Sequence, residues 1–453
     1  MERDMSSPHL GSHAVVIGAG MGGLAAAAAI SEYFGQVTVL DRDALRSRPG
    51  DRAGTPQARH LHVLLAGGLR ALCELLAGFE DDLVKAGAVP LRAGLDIRTE
   101  RPGFDPFPKR DLSMRLYAMS RPLLEFTVRE RIRTIPNVAI QAQARVTEIV
   151  PSQDLSAVTG VRYSDEHGKE HLLPADLVID SSGRGVPTLE LLAANGRQPP
   201  KETRVGVNIG YTTARYRIPT SQTRDWKAVL HLPSAPGTSR GSLLYPLEGN
   251  EWILALGGRG DEKPPGDEAG LLQWARQLRM PTIYDAIAGA ERVGEVLRYG
   301  FPESIRREFS APESESFPIG LLPFADAICI FNPVYGQGMS VAAQEAILLK
   351  HLLADPLRSS SGLALAFFKG IEPILEAPWA MSVLPDFVFA ETTGERPADL
   401  MQTFKFGAAI TRLAARDADV HKLMAEVGNL VKPRSAYREP EMLKRVLAEM
   451  SAA

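Results

Sequence analysis

The feature that most constrains this chain is a strand–turn–helix–strand unit near its start. His13-Ala-Val-Val-Ile17 is a short apolar run bounded by glycine, which reads as a buried parallel strand. Gly18-Ala-Gly20-Met-Gly-Gly23 follows. An alanine-rich stretch from Leu24 to Phe34 then predicts a helix, and Gln36-Val-Thr-Val-Leu40 a second strand that ends at Asp41. Each glycine has a physical reason. Gly18 permits the tight turn, Gly20 lets the backbone approach a pyrophosphate, and Gly23 lets the helix pack close against the strand. The helix N-terminus then turns free N–H groups and the positive end of its dipole toward the phosphates. Asp41 stands where a carboxylate accepts ribose hydroxyls. A glycine-rich turn alone also suits other α/β proteins; both strands, the helix and the acid together predict a dinucleotide-binding domain.

The chain has 453 residues, enough for two or three domains with sizeable cores. A net charge of −3 supplies no basic field to draw nucleic acid. Cys73 and Cys329, far apart and outside any CxxC pair, argue against a disulfide framework and a zinc site and fit a reducing cytoplasm. Met1 to Ser12 is polar, without the apolar core of a signal peptide, and no apolar run is long enough to predict a membrane span.

Further along, the leucine spacing over His60 to Leu76 predicts a helix. His60 and His62 lack a third ligand and read as polar positions at its start. Ser120-Arg121-Pro122 reads as an N-cap with proline in the first turn of a helix that reaches about Thr134, which makes Arg121 a candidate phosphate contact. Asn137 to Val150 alternates like a strand, a hairpin surrounds Asp165 to Gly168, and Ala175 to Asp180 is another buried strand. From Arg204 to Gly258 the alternation predicts an antiparallel sheet inserted into the first domain. Gly320 to Phe324 returns to strand, Ser340 to Leu353 is helical, and the remainder is mostly helical. In the inserted sheet Tyr211, Tyr245 and Arg215 are candidates to face substrate, although strand aromatics more often simply pack.

These motifs, in this order, resemble the class A flavoprotein monooxygenases of the para-hydroxybenzoate hydroxylase fold. More closely the chain resembles the FAD-dependent epoxidases of polyether biosynthesis. The stretches that carry the closer likeness are Gly54-x-Pro56-Gln57-x-Arg59-His60-x-His62, Ser120 to Leu124, Asp176 to Gly185, Phe331-Asn-Pro-x-Tyr-Gly336 and the tail after Ala377-Pro378-Trp379. The resemblance implies an α/β fold: a Rossmann-like FAD-binding domain (1–90, 116–185 and 300–355), an inserted antiparallel-sheet substrate domain (91–115 and 186–299) and a helical C-terminal region (356–453). It implies that Asp326 accepts hydroxyls of the FAD ribityl chain. Gly336, Gln337, Gly338 and Met339 would lie at a helix N-terminus beside the flavin pyrimidine ring, where negative charge is stabilised. Arg42, Arg52 and Arg121 match positions that contact FAD or its surroundings.

Three departures stand out. Ala325-Asp326 replaces the usual Gly-Asp, Asp180-Ser181 replaces an Asp-Gly pair with the glycine displaced to Gly183, and apolar Ile328-Cys329-Ile330 stands where many hydroxylases carry a histidine.

The implied activity is monooxygenation, epoxidation or hydroxylation, through a flavin C4a-hydroperoxide. O2 is the oxidant and NADPH or NADH the electron donor, directly or through a flavin reductase. No metal is called for, and no catalytic acid or base stands out, which suits epoxidation because the cofactor does the chemistry. An apolar flavin loop and inserted domain suggest a hydrophobic substrate such as a polyketide, polyene or terpenoid. The rival is a redox-neutral FAD-containing cyclase or isomerase of the same fold. A flavin halogenase lacks its WxWxIP signature here, a reductase or dehydrogenase on an isoprenoid double bond stays open, and a non-enzymatic binding protein fits least.

Overall fold

The computed structural model describes residues 10–219, 223–310, 317–355 and 360–452; residues 1–9 of the polar N-terminal stretch lie outside these. The opening unit forms as strand Gly11–Ile17, helix Met21–Ile30 and strand Phe34–Leu40. The helix is shorter at its end than the alanine pattern suggests, because Phe34 turns inward as the first residue of the second strand and is buried.

These strands sit in a five-stranded, all-parallel sheet ordered Leu321–Pro323, Leu177–Asp180, Gly11–Ile17, Phe34–Leu40, Val138–Gln141. Both faces are covered, as a parallel sheet requires. On one side Val16, Val37 and Ile179 pack with residues of helices Met21–Ile30, Arg121–Arg133 and Gly338–Leu353. On the other, Val15, Ile17 and Leu40 pack on a three-stranded antiparallel sheet through Ile149, Val161 and Tyr163. The single strand expected over 137–150 is therefore two. Gln143 takes a left-handed backbone (φ 54°) between Val138–Gln141 and Arg145–Pro151, and the two halves join different sheets.

The helix expected over His60 to Leu76 is also shorter. Pro56–Arg59 is a single 3-10 turn, residues 61–65 have no helical or strand structure, and the helix runs Ala66–Leu75. Tertiary contact overrides the leucine periodicity. The Leu65 N–H donates to the Ser340 hydroxyl at 3.0 Å, and the helix starts with Gly67 and Gly68 pressed on other chain segments. A Cβ at those two positions would stand 2.2 Å from the Leu430 carbonyl and 2.5 Å from Ser340 Cα.

A second, seven-stranded sheet has the order Cys329–Ile330, Arg292–Glu308, Lys201–Arg217, Glu251–Arg259, Gly241–Leu247, Ala228–His231, Ile97–Glu100. Strand Arg292–Glu308 runs without a break through residue 300, where the sequence reading drew a boundary, so 300–308 lie in this sheet. Helix Val186–Ala194 buries Leu191 and Leu192 among side chains around the parallel sheet, and so packs with that sheet rather than with the inserted one.

The tail is helical at Leu363–Val383, Leu400–Arg416, Ala418–Gly428 and Pro440–Ser451. Phe367, Phe368 and Ile371 dock the first of these in the core beside Gly338–Leu353. The rest roofs the seven-stranded sheet, with Val383, Phe387 and Leu400 against Val205, Val207 and Ile209, and Ile410, Leu413 and Val420 against Phe107. Among the described residues no helix is long and apolar enough to cross a membrane.

Candidate active site

One continuous cavity of about 2140 Å³ opens at the carboxyl ends of the parallel strands and extends between the seven-stranded sheet and the helical tail. Pockets for a single drug-sized ligand measure ~300–1,000 Å³, so there is room for a dinucleotide and a second sizeable molecule. All twelve sequence-predicted site residues except Gly23 line it.

The glycine turn behaves as its spacing dictates. Gly18 has φ +98°, and a Cβ there would stand 2.6 Å from the Ser181 carbonyl. Gly23 is closed from the cavity: its Cβ would lie 1.9 Å from the Gly18 carbonyl. Gly20 caps the helix, and the nearest atom to a Cβ there is Arg52 Nη2 at 3.9 Å, leaving open space over the helix N-terminus. An N-terminus with free N–H groups beside open space is the cradle a pyrophosphate requires.

Asp41 is buried, and its carboxylate is already engaged. It accepts from the Ala19 N–H at 2.7 Å and the Asp43 N–H at 2.9 Å, and pairs with Arg52 at 3.1 Å. It therefore braces the glycine turn as well as facing the cavity. Arg52 is a hub: it also bonds Asp43 (3.0 Å), Glu125 (2.8 Å) and the Ala19 carbonyl (3.3 Å). Burial opposes its charge, but Glu125 and Asp41 outweigh that and raise its pKa. Glu125 further holds Arg121 at 3.2 Å, the two lying four residues apart on one helix. That helix begins where the sequence indicated, with the Ser120 hydroxyl accepting from the Leu123 N–H at 3.2 Å. Arg121 keeps its Nε buried without a partner.

At the opposite wall Asp326 faces the cavity from the loop after the last parallel strand. Enclosure by the protein pushes its pKa up, while Arg121 and Arg184 pull it down. Ala325, the departure from Gly-Asp, sits at φ +56°, a region that favours glycine. It is held there by Glu345, which accepts from the Ala325 N–H at 2.9 Å. Glu345 is fully buried, its other oxygen has no partner, and burial raises its pKa to about 8. Gly336 also takes the left-handed region (φ +65°), turning the chain into helix Gly338–Leu353, with Gly338 a Cβ's 3.8 Å from Asp326 Oδ1. Gln337 lines the cavity, yet both polar atoms of its side chain are buried without partners. Such orphaned groups are rare in a folded protein and fit a polar ligand that completes them. Asp180, by contrast, is spent within its own loop, accepting from the Ser182 N–H, the Thr188 N–H and the Thr188 hydroxyl (2.6 Å).

Beyond this cradle the wall is mainly apolar and aromatic, with polar side chains such as Arg101, Arg259 and His421 set into it. Tyr211 and Tyr245 line it; Arg215 does not. His60 is no exposed helix start: it is buried, with ring centroids 5.1 Å from Tyr211 and 5.3 Å from Tyr299, and its Nδ1 is 2.9 Å from the Thr213 hydroxyl. Burial, then Arg59, lowers its pKa to about 4; burial, then Arg121, lowers that of His62 to about 3, so both rings are neutral near pH 7.

Sequence reasoning missed one cluster altogether. Asp386, from the tail, binds Arg259 of the seven-stranded sheet and the Asn332 amide (2.8 Å) and Tyr335 hydroxyl (3.3 Å) of the loop before Gly336. Nothing in the local sequence marks three segments so far apart. Glu125 was within reach, because its i,i+4 spacing from Arg121 is a helix-face signal.

The fold is that of the class A flavoprotein monooxygenases. No family model matches the chain. It is 32% identical to Protein Rv3254 of Mycobacterium tuberculosis (strain ATCC 25618 / H37Rv) over 414 residues, 88% of this chain and 86% of that protein, and it belongs to the same family. Squalene epoxidase 1 of Arabidopsis thaliana is 26% identical over 360 residues, 77% of this chain but only 60% of its own length. Among solved structures, the flavin-dependent brominase Bmp2 superposes with a TM-score of 0.66 at 15% identity, covering 98% of this chain and 99% of its own. Tetrameric 2-methyl-3-hydroxypyridine-5-carboxylic acid oxygenase does so at 0.59 and 19% identity, covering 82% and 90%.

Proposed function

We propose that this chain is an FAD-dependent monooxygenase that transfers one oxygen atom from O2 to a hydrophobic natural-product intermediate, such as a polyketide, polyene or terpenoid, with NADPH or NADH as electron donor. The observation that carries this reading is the single cavity that joins a dinucleotide cradle to an apolar chamber. In this reading the turn Gly18 to Gly23 and its helix take the pyrophosphate, and Asp41 faces the adenosine ribose with Arg42 beside it. Arg52 and Arg121 flank the cofactor, Asp326 takes ribityl hydroxyls, and Gly336 to Met339 meet the flavin ring. When bound, FAD supplies the two-electron chemistry that activates O2.

The chain's own residues do the rest. The helix N-terminus at Gly338 would favour negative charge on a flavin ring held beside it. Gln337 offers an amide whose hydrogen bonds are otherwise unmade. The wall around Tyr211, Tyr245 and Phe301 orients an apolar substrate and excludes water. The likeness to squalene epoxidase 1 favours an alkene as acceptor and an epoxide as product. The WxWxIP signature of flavin halogenases is absent from the sequence, which favours oxygen transfer over halogenation although the brominase Bmp2 shares the fold.

The test is anaerobic stopped-flow on FAD-loaded protein. NADPH, alone or with a flavin reductase, bleaches the flavin band near ~450 nm, and O2 then restores it. If neither donor bleaches a flavin that stays bound, the redox-neutral cyclase replaces this reading.

A further inference from the structure

The seven-stranded sheet separates two ends of the cavity. Cys329–Ile330, three residues after Asp326, is one edge strand; Ile97–Glu100 is the other, six strand spacings away. At ~4.8 Å per spacing that is roughly 29 Å in the sheet. Arg101 follows directly on the far edge strand and lines the cavity where the tail roofs it.

Arg101 is a cation without a counter-charge. Its side chain is enclosed, its Nε is buried with no partner, and among the described residues no carboxylate pairs with it. Its neighbours are the ring of Phe107 at 5.9 Å and Tyr437, the titratable group that acts on it. Next to Phe107, at 4.9 Å, lies His421, buried and with Nδ1 equally unpartnered. His421 and Tyr437 line the cavity as well, on separate elements of the tail. Burial, then Arg110 and Arg101, keeps His421 neutral by lowering its pKa to about 4, and burial pushes Tyr437 up to about 12, so Tyr437 keeps its O–H to donate at neutral pH and His421 donates from Nδ1 in the tautomer that carries its proton there. Burying an unpaired charge is strongly unfavourable, and an isolated guanidinium in a cavity wall is a vacancy for an anion.

We infer that Arg101, His421 and Tyr437 form an oxyanion-binding subsite at the end of the cavity remote from Asp326, and that it takes the carboxylate end of a long apolar substrate. The substrate is then an amphiphile: an extended hydrocarbon body along the sheet, with its anionic end anchored at Arg101 and the reacting carbon at a fixed distance near the other edge. This deepens the reading of the cavity as a substrate site but does not rest on oxygen chemistry, because binding is measured without turnover.

The experiment is a fluorescence titration of FAD-loaded protein with a long-chain polyene fatty acid, and in parallel with its methyl ester. The acid binds wild type at least about tenfold tighter than the ester. Arg101→Met removes that preference, leaves the ester unchanged and leaves FAD content and NADP+ affinity as they were; Arg101→Lys keeps part of it. Tyr437→Phe lowers the acid's advantage without touching the charge, and supplies the same test should Arg101→Met fail to fold. Equal binding of acid and ester to wild type overturns the inference. So does a loss in Arg101→Met that falls on NADP+ instead, since the anion bound would then be a nucleotide phosphate.

Discussion

Gly20 and Gly23 are both glycines of one turn, and they do opposite things. Gly23 has a backbone carbonyl where its Cβ would be, 1.9 Å away, so Gly23→Ala destabilises the fold by more than about 4 kcal/mol in urea titration. Gly20 faces open space with an ordinary backbone (φ −77°), so Gly20→Ala changes stability by less than about 1 kcal/mol while raising the FAD dissociation constant at least tenfold. Equal stability losses in the two variants would contradict this division. Glu345 gives a pH signature. Its pKa is raised in the folded chain, from an ordinary carboxylate value to about 8. The folded state thus holds the proton more tightly, and the stabilisation this brings is complete below about pH 4 and drains away as pH rises to 8. Glu345→Gln keeps an acceptor for the Ala325 N–H. Its stability relative to wild type therefore climbs between those limits, and a flat difference across pH 4 to 8 would remove the argument. The glycines were legible in the sequence because spacing alone fixes their roles. Glu345 was not, since its importance comes from a left-handed alanine twenty residues away in sequence.

At the scale of elements, the clamp of Arg259, Asp386, Asn332 and Tyr335 ties three segments together beside the 336–339 loop. Asp386→Ala leaves Arg259 buried and uncompensated, which costs about 3–5 kcal/mol. Limited proteolysis is then expected to cut first between residues 384 and 399, where the tail leaves the loop; unchanged cutting would show that the clamp does not hold the tail. Elements whose periodicity agrees with their packing were readable: the parallel strands, the Ser120-capped helix and the helix at Ser340. Those set by tertiary contact were not. His60 to Leu65 carries helical spacing but is a non-helical run whose Leu61, His62, Val63 and Leu65 line the cavity, because Leu65 is bound to Ser340. Strand Arg292–Glu308 runs through the boundary at residue 300 that the family resemblance implied, since its 17 residues find their partners in Lys201–Arg217 and Cys329–Ile330, far away in sequence.

For the molecule as a whole, the glycine-turn end of the cavity was legible in the sequence and the end beneath the tail was not. The glycine turn is a motif of consecutive residues; the far end is assembled from the inserted sheet, the loop before Gly336 and the tail, whose joint wall no local pattern encodes. The size and apolar wall of the joined cavity make oxygen transfer to a bulky hydrocarbon the central claim. The most direct test supplies 18O2 and NADPH, with a flavin reductase present, to FAD-loaded protein and a panel of polyenes and isoprenoid alkenes, and weighs the products. Monooxygenation places one 18O atom in the organic product and the other in water. A product formed with no label from O2, or formed equally well without O2, would contradict it.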